Sequence, residues 1–322
     1  YIGGIEHAVM HLLYARFFTK ALRDIGLLDF DEPFKNLLTQ GMVCKETMKC
    51  DEHGYLSPEE SEEGVCTHCG KKATVGAVEK MSKSKKNTID PDHIIKRYGA
   101  DTTRLFSLFA APPERDLDWN EDGVEGSFRF LSRVWRLLDG CVDELKKVEA
   151  YSSGPLSKES SELHSFTHKT IERVTNDVEK RFHFNTAISA IMELTNKLYQ
   201  FEQKGQEERS VAKEAIEALI LMLSPFAPHI SEELWQMLGH SEAVFNTPWP
   251  VHDPEALKTD TVTLIVQVNG KMRGKVEVAS GAGKDAVSDV VLSDEKIKEW
   301  VEGKELVKFI YVPDKLANLV VK

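Results

Sequence analysis

The sequence has little that would carry a protein into a membrane or out of a cell. No apolar run approaches the roughly 20 residues that a spanning helix needs. No basic-then-apolar segment opens the chain, so the cytoplasm is the expected location. Cysteine is scarce, five in 322 residues, too few for a disulfide framework in a chain long enough to bury its own core. Positive charge is in deficit: 41 Lys and Arg stand against 52 Asp and Glu, a formal net charge of −11. That excludes a protein that coats nucleic acid through its overall field, while leaving room for local basic patches. An initiator methionine is missing before Tyr1-Ile2-Gly3-Gly4, which reads as the middle of a longer polypeptide. The length allows two or three domains.

Against the acidic background stands Glu79-Lys80-Met81-Ser82-Lys83-Ser84-Lys85-Lys86-Asn87, with four lysines in seven positions. Hydroxyl residues interrupt the lysines and no apolar period runs through them, so the stretch predicts an exposed loop. Ammonium groups and hydroxyls all donate to phosphate oxygens. A merely solvated lysine cluster is the plain alternative.

Four of the five cysteines fall just before it, at Cys44, Cys50, Cys66 and Cys69. Cys50-x2-His53 and Cys66-x2-Cys69, the latter followed by Gly70, have the spacing of a tetrahedral structural zinc site, with Cys44 as an alternative to His53. A segment so poor in apolar residues would gain folding energy from a metal; without one, these are free thiols in a mobile insert.

Upstream, Gly3-Gly4 leads into helix-forming sequence from Ile5 to Phe17 that sets His7 and His11 one turn apart. The order Glu-His-x-x-x-His is not that of a zinc protease, and the residues alone favour packing histidines. Leu37 to Val43 reads as a short apolar strand ended by Gly41. After the lysine loop, Ile89-Asp90-Pro91-Asp92 predicts a capped helix start. Asp101 and Arg104 are spaced to pair along a helix, and Pro112-Pro113 closes this part.

From Val124 the period is helical. Val124, Phe128, Leu131, Trp135, Leu138, Val142 and Leu145 make one stripe on a long helix, bordered by Cys141 as a core thiol. Ser152 to Pro155 is a linker. Further stripes follow at Ile171, Val174, Val178 and Phe182, at Ile188, Ile191 and Leu198, at Val211, Ala215, Leu219 and Met222, and at Ile230, Leu234, Trp235 and Leu238. Facing stripes on successive helices predict a bundle. Beyond Trp249-Pro250 and Pro254 the period changes to two. Thr261–Val268, the turn Asn269-Gly270, Lys271–Val278, helical sequence from Asp285 to Val301 and strands at Phe309–Val312 and Leu319–Val321 predict a ββααββ module. Lys271, Arg273 and Lys275 alternate with apolar residues, which would make one strand face basic and fit to meet phosphates.

These pieces share a resemblance. Lys80-Met81-Ser82-Lys83-Ser84 is the signature loop of class I aminoacyl-tRNA synthetases. Gly3-Gly4-Ile5-Glu6-His7 through Tyr14 is similar to the segment that follows the editing insertion of leucyl-tRNA synthetases. The resemblance runs in order over almost the whole chain, the cysteine insert matching least. It implies a multidomain α/β-plus-α chain: the second half of a Rossmann-type catalytic domain at 1–115, with a leucine-specific-type insertion at 44–79; a helical anticodon-binding bundle at 116–250; and a small α+β tRNA-binding domain at 258–322. It implies leucine activation with ATP and Mg2+, transfer to tRNA(Leu), and a monomeric whole enzyme. Lys80 and Lys83 would be catalytic. Gly3, Gly4, Glu6, His7, His11, Gly41, Met42, Val43, Met81, Ser82 and Ser84 would line the ATP and adenylate site, and Lys271, Arg273 and Lys275 would meet tRNA. The family's His-x-Gly-His motif and editing domain are absent, so half an active site is expected here, completed by the missing half of the catalytic domain. The rival expectations are a methionine, valine or isoleucine enzyme, and a non-catalytic tRNA-binding fragment or small subunit.

Overall fold

Two parallel strands begin the chain. In the computed structural model, which describes residues 1–7, 9–257, 261–279, 282–313 and 315–322, β1 (Ile2–Gly4) lies beside β2 (Leu38–Gln40), Ile2 opposite Leu38. A parallel pair needs a crossover, supplied by a 3-10 turn (Ile5–His7) and α1 (Met10–Asp24). The helix therefore starts later than the sequence suggests, and His7 and His11 do not share one helical face; Ala8 lies outside the described residues. α1 buries only Leu12 and Thr19. Leu13, Tyr14, Phe17 and Phe18 stand exposed, the last two at 63% and 60%.

The next sheet is centred on β3 (Val43–Cys50), flanked by antiparallel β4 (Gly54–Leu56) and β7 (Thr74–Lys80). Within the insert, β5 (Ser61–Glu62) and β6 (Val65–Cys66) form a hairpin over a small core of Cys50, Leu56, Cys66 and Ala73. β8 (Leu117–Asp118) returns to pair in parallel with the start of β3. Gly41 is needed at this return: a Cβ there would collide with the Arg115 backbone.

α2 (Pro91–Tyr98) opens with Pro91 behind an Asp90 cap, and α3 (Ala100–Phe109) follows. The expected Asp101–Arg104 pair does not form. Asp101 instead accepts from the Ile230 N–H at 2.7 Å and the His229 ring at 2.8 Å, while Arg104 donates to the Pro225 carbonyl. The unpaired N–H groups at a helix start outcompete an exposed ion pair for the carboxylate.

The helix after Asn120 also differs. α4 (Glu121–Asp139) stops before Gly140, and α5 (Val142–Leu145) is a separate turn with Cys141 at its start. The inward arc of α4 is Val124, Ser127, Phe130, Leu131, Val134 and Leu138. Phe128 and Trp135 lie on its rim and are exposed, because a three-four stripe spans a wider arc than its contact face. α6 (Lys158–Asn176), α7 (Phe184–Gln200), α8 (Gln206–Leu223) and α9 (Pro228–Met237) complete the bundle. Val178 and Phe182 do not extend α6: one wide turn (Asp177–Arg181) ends at Phe182, which is left-handed at φ 55°. The core includes Ile188, Ile191, Leu194, Leu219 and Met222.

The chain divides into two units, Tyr1–His252 and Asp253–Lys322. The second is ββααββ: β9 (Thr261–Val268), β10 (Lys271–Ala279), α10 (Lys284–Ser293), α11 (Glu295–Val301), β11 (Leu306–Val312) and β12 (Leu316–Val321). The strand order is β10-β9-β12-β11, with β12 parallel to β9. Asn269 and Gly270 both take positive φ, as a tight hairpin turn requires. Residues 258–260, where this domain was expected to begin, lie outside the described residues.

Candidate active-site loop and metal-binding insert

The lysine loop is built on one buried side chain. Asn87, 3% exposed, accepts from the Ser82 N–H at 2.9 Å and donates to the carbonyls of Lys45 and Glu79 at 3.0 and 3.2 Å. It closes the loop on itself and ties it to β3. Ser82 caps a 3-10 turn (Lys83–Lys85), its hydroxyl 3.2 Å from that of Ser84. Met81 donates to the Val43 carbonyl.

The four lysines divide into two pairs. Lys85 is held by Glu79, and Lys86 by both carboxylate oxygens of Glu60 at 2.9 and 2.8 Å. Lys80 and Lys83 are exposed and form no ion pair among the described residues. The loop thus anchors itself with two of its ammonium groups and leaves the other two exposed. Composition alone does not distinguish the four; Glu60 and Glu79 do, by pairing with Lys86 and Lys85.

Glu60 belongs to the cysteine insert. Its carboxylate also accepts from the Ser57 N–H and lies 3.5 Å from the His68 ring. The hydrogen bond from Lys86, followed by that from Ser57, lowers its pKa to about 2. A cleft of about 200 Å³ lined by Lys45, Met48, Pro58, Lys86 and Asn87 separates insert from loop.

Within the insert, ligand atoms of Cys50, His53, Cys66 and Cys69 lie within 4.8 Å of one another. The Cys50 and Cys69 sulfurs are 3.6 Å apart, and His53 Nδ1 lies 3.7 Å from Cys50 and 3.8 Å from Cys66. Zn–S bonds of about 2.3 Å in a tetrahedron give edges of about 3.8 Å, so the donor set and its spacing fit zinc. The His53 ring, then backbone N–H groups, lower the Cys50 thiol to about 6, which favours the ligating thiolate. Cys44 is apart: it bonds the Met42 carbonyl, and burial first, then Asp116 and Asp118, raises its pKa.

Glu6 and His7 are exposed on the 3-10 turn. His11 meets the rings of Tyr1 and Phe34 at 5.4 and 6.4 Å. The Glu6 side chain folds close against Gly4, and Tyr1 against Gly3. No hydrogen bond or ion pair joins this group to Lys80–Ser84 among the described residues. The N–H groups of Gly41 and Met42 are already taken, by the Pro113 carbonyl and the Asp116 carboxylate, both at 2.8 Å.

The basic strand face also needs correction. Strand pairing slips between Met272 and Gly274, which makes Arg273 an extra residue in a bulge. Lys271 then pairs with Val268 and Lys275 with Ile265, one buried and one exposed partner, so the two lysines lie on opposite faces. Arg273 lies 3.5 Å over the Trp300 ring. In the bundle, the outward Phe128 and Trp135 line a cleft of about 570 Å³ with Tyr98, Arg129 and Arg136. Both aromatics belong to the apolar stripe of the sequence but lie on its exposed rim.

The family model "Anticodon-binding domain of tRNA ligase" matches residues 161–288, and "tRNA synthetases class I (I, L, M and V)" matches residues 72–120. A leucine–tRNA ligase of Syntrophus aciditrophicus is 54% identical over all of this chain. The chain is homologous to the C-terminal part of the leucine–tRNA ligases. A second member, from Desulfatibacillum aliphaticivorans, is 52% identical over the whole chain. The chain spans 38% of the length of each of these ligases. A solved ternary complex of Agrobacterium radiobacter LeuRS with tRNA and LeuAMS superposes with a TM-score of 0.71, at 34% identity, over 100% of this chain and 37% of that one. The leucine ligases are thus favoured over the methionine, valine and isoleucine alternatives. Among the described residues, no helix is long and apolar enough to cross a membrane.

Proposed function

We propose that this chain provides the ATP-phosphate loop and the tRNA-holding parts of a leucine–tRNA ligase. In the reaction, the leucine carboxylate attacks the α-phosphate of ATP and pyrophosphate leaves. A terminal ribose hydroxyl of tRNA then takes the leucyl group from the adenylate. The observation that carries this reading is the division of the loop lysines: Lys80 and Lys83 are exposed and without an ion pair among the described residues, while Asn87, Glu60 and Glu79 hold Ser82, Lys86 and Lys85.

Two donors set in advance near a phosphate stabilise the charge that builds as the bond to pyrophosphate breaks. The hydroxyls of Ser82 and Ser84 assist. Glu6, His7 and His11, with Gly3 and Gly4, belong to the leucine and adenosine side. The adenine would lie near Gly41, Met42 and Val43, met by groups other than the two engaged amides. Mg2+, where bound with ATP, adds charge to the same phosphates. Cys50, His53, Cys66 and Cys69 would hold a structural zinc that would stiffen the insert, and Glu60 links the insert to Lys86 of the loop.

The exposed apolar side of α1 supports a further part of the reading. The second Rossmann half present here meets the first along this helix, in the ligase segments beyond the 38% spanned. For tRNA, the arginines and rim aromatics of the bundle cleft suit a folded RNA, whose backbone takes charge and whose unpaired bases stack. Lys271 and Lys275 add contacts from the C-terminal unit. In an assembled ligase carrying these residues, Lys83→Ala should slow leucine-dependent ATP–pyrophosphate exchange by about 10- to 1000-fold with little change in leucine binding. An unchanged rate would remove Lys83 from the mechanism.

A further inference from the structure

A second group of metal-type donors lies in the bundle, outside everything described so far. His164 and His168 are four residues apart on α6, which sets both imidazoles on one face, and Glu214 on α8 faces them. His164 Nδ1 is 2.8 Å from Glu214 Oε2, and His168 Nε2 is 3.0 Å from Oε1. The three side chains are 16%, 8% and 17% exposed. Their ligand atoms fall within 4.8 Å of one another. The Tyr151 ring covers His164 edge-on at 4.9 Å.

We propose that His164, His168 and Glu214 form a binding site for a divalent first-row metal that clips α6 to α8. Three observations carry it. The chemistry is that of two imidazoles and one carboxylate, a set that takes late first-row metals and leaves positions open to water. The spacing suits it: bonds of about 2.1 Å at right angles separate neighbouring ligand atoms by about 3.0 Å, the nitrogen–oxygen distances already present. The framework is rigid, since the donors project from the middle of two packed helices. In the metal-free chain the carboxylate hydrogen-bonds both rings, so the clip pre-exists and metal uptake replaces protons at those two ring nitrogens. The site shares no residue with the cysteine insert and does not depend on ligase activity. A sequence signal existed in His164-x3-His168, but its third ligand is 46 residues further on.

The test uses the whole 322-residue chain with Co2+ as probe. Cobalt at the cysteine knuckles produces an intense thiolate charge-transfer band, whereas cobalt at imidazole and carboxylate produces only weak visible bands. The wild-type chain should take up one equivalent that adds no charge-transfer intensity, and that equivalent should raise the bundle's melting midpoint by about 5 °C at a hundredfold excess over Kd. His164→Ala with His168→Ala should abolish the uptake. Glu214→Gln, which keeps the shape and a carbonyl acceptor, should weaken it beyond the roughly 10- to 100-fold typical of changes around a site. Equal cobalt uptake by the wild type and by a folded Glu214→Gln chain would overturn the proposal. So would a wild-type chain in which all bound cobalt carries the thiolate band.

Discussion

α1 and the bundle helices have comparable apolar content and opposite fates. α7 buries Phe184, Ala187, Ile188, Ala190, Ile191, Leu194, Thr195 and Leu198 between its neighbours. α1, only two residues shorter, buries Leu12 and Thr19 and leaves a row of aromatic and aliphatic side chains bare. A contiguous apolar face of that kind marks a surface made to be covered. The contrast separates what this chain completes by itself from what it shares. The bundle has a completed core; in the proposed reading the strand–helix–strand unit at the N-terminal end is one side of an interface.

The sharpest way to break this comparison is through stability. Leu194→Ala empties fully buried volume and should cost about 2–5 kcal/mol of bundle stability. Phe17→Ala should change the melting of the isolated chain by less than about 0.5 kcal/mol, as exposed substitutions do. Similar losses would show that α1 is already packed.

Metal removal comes next. Cys66→Ser with Cys69→Ser should open the insert to proteolysis while the bundle's melting stays unchanged, and elemental analysis of untreated protein should give about one zinc per chain at the knuckles. An ordered insert without metal would end the structural role assigned to zinc.

A smaller effect follows at the lysine loop. Glu60→Gln should release Lys86 and speed cleavage or hydrogen exchange at Lys83–Lys86 without moving the knuckles. The carboxyl pKa is depressed to about 2 by Lys86 and Ser57. The clasp therefore contributes fully above the unfolded value near 4.3 and is lost only as pH falls through about 2. Loop protection equal at pH 7 and pH 5 is the expected result, and loss within that range would exclude Glu60 as its cause.

The smallest effect concerns tRNA. Arg129→Ala with Arg136→Ala should weaken binding and flatten its salt dependence by about two phosphate contacts, more than Lys271→Ala with Lys275→Ala does, because those lysines face opposite ways. The reverse order would restore the basic strand face that the bulge at Arg273 removes.

Much of this was legible in the sequence. The ββααββ order and the Asn269-Gly270 turn follow from period and turn chemistry. The Cys50, His53, Cys66, Cys69 grouping follows from short spacings. What escaped is set by distant pairings. Asp101 finds the start of α9, more than a hundred residues away, instead of Arg104 on its own helix. Arg273 leaves the strand face because of one extra residue, which alternation cannot reveal. Phe128 and Trp135 fit the apolar stripe as well as the core residues do; only the position of neighbouring helices puts them on the rim. At the loop, composition showed a basic cluster, but which lysines remain unpaired depended on two glutamates brought there by the fold.

The central claim is that these residues supply half of an activation site whose other half covers α1. Leucine-dependent ATP–pyrophosphate exchange, measured on this chain alone and again with the remaining ligase segment added in trans, tests it most directly. The expected result is no exchange above a no-enzyme blank for the chain alone, and exchange that appears with the added segment and is lost on Lys83→Ala. Exchange by the purified chain alone would contradict the account.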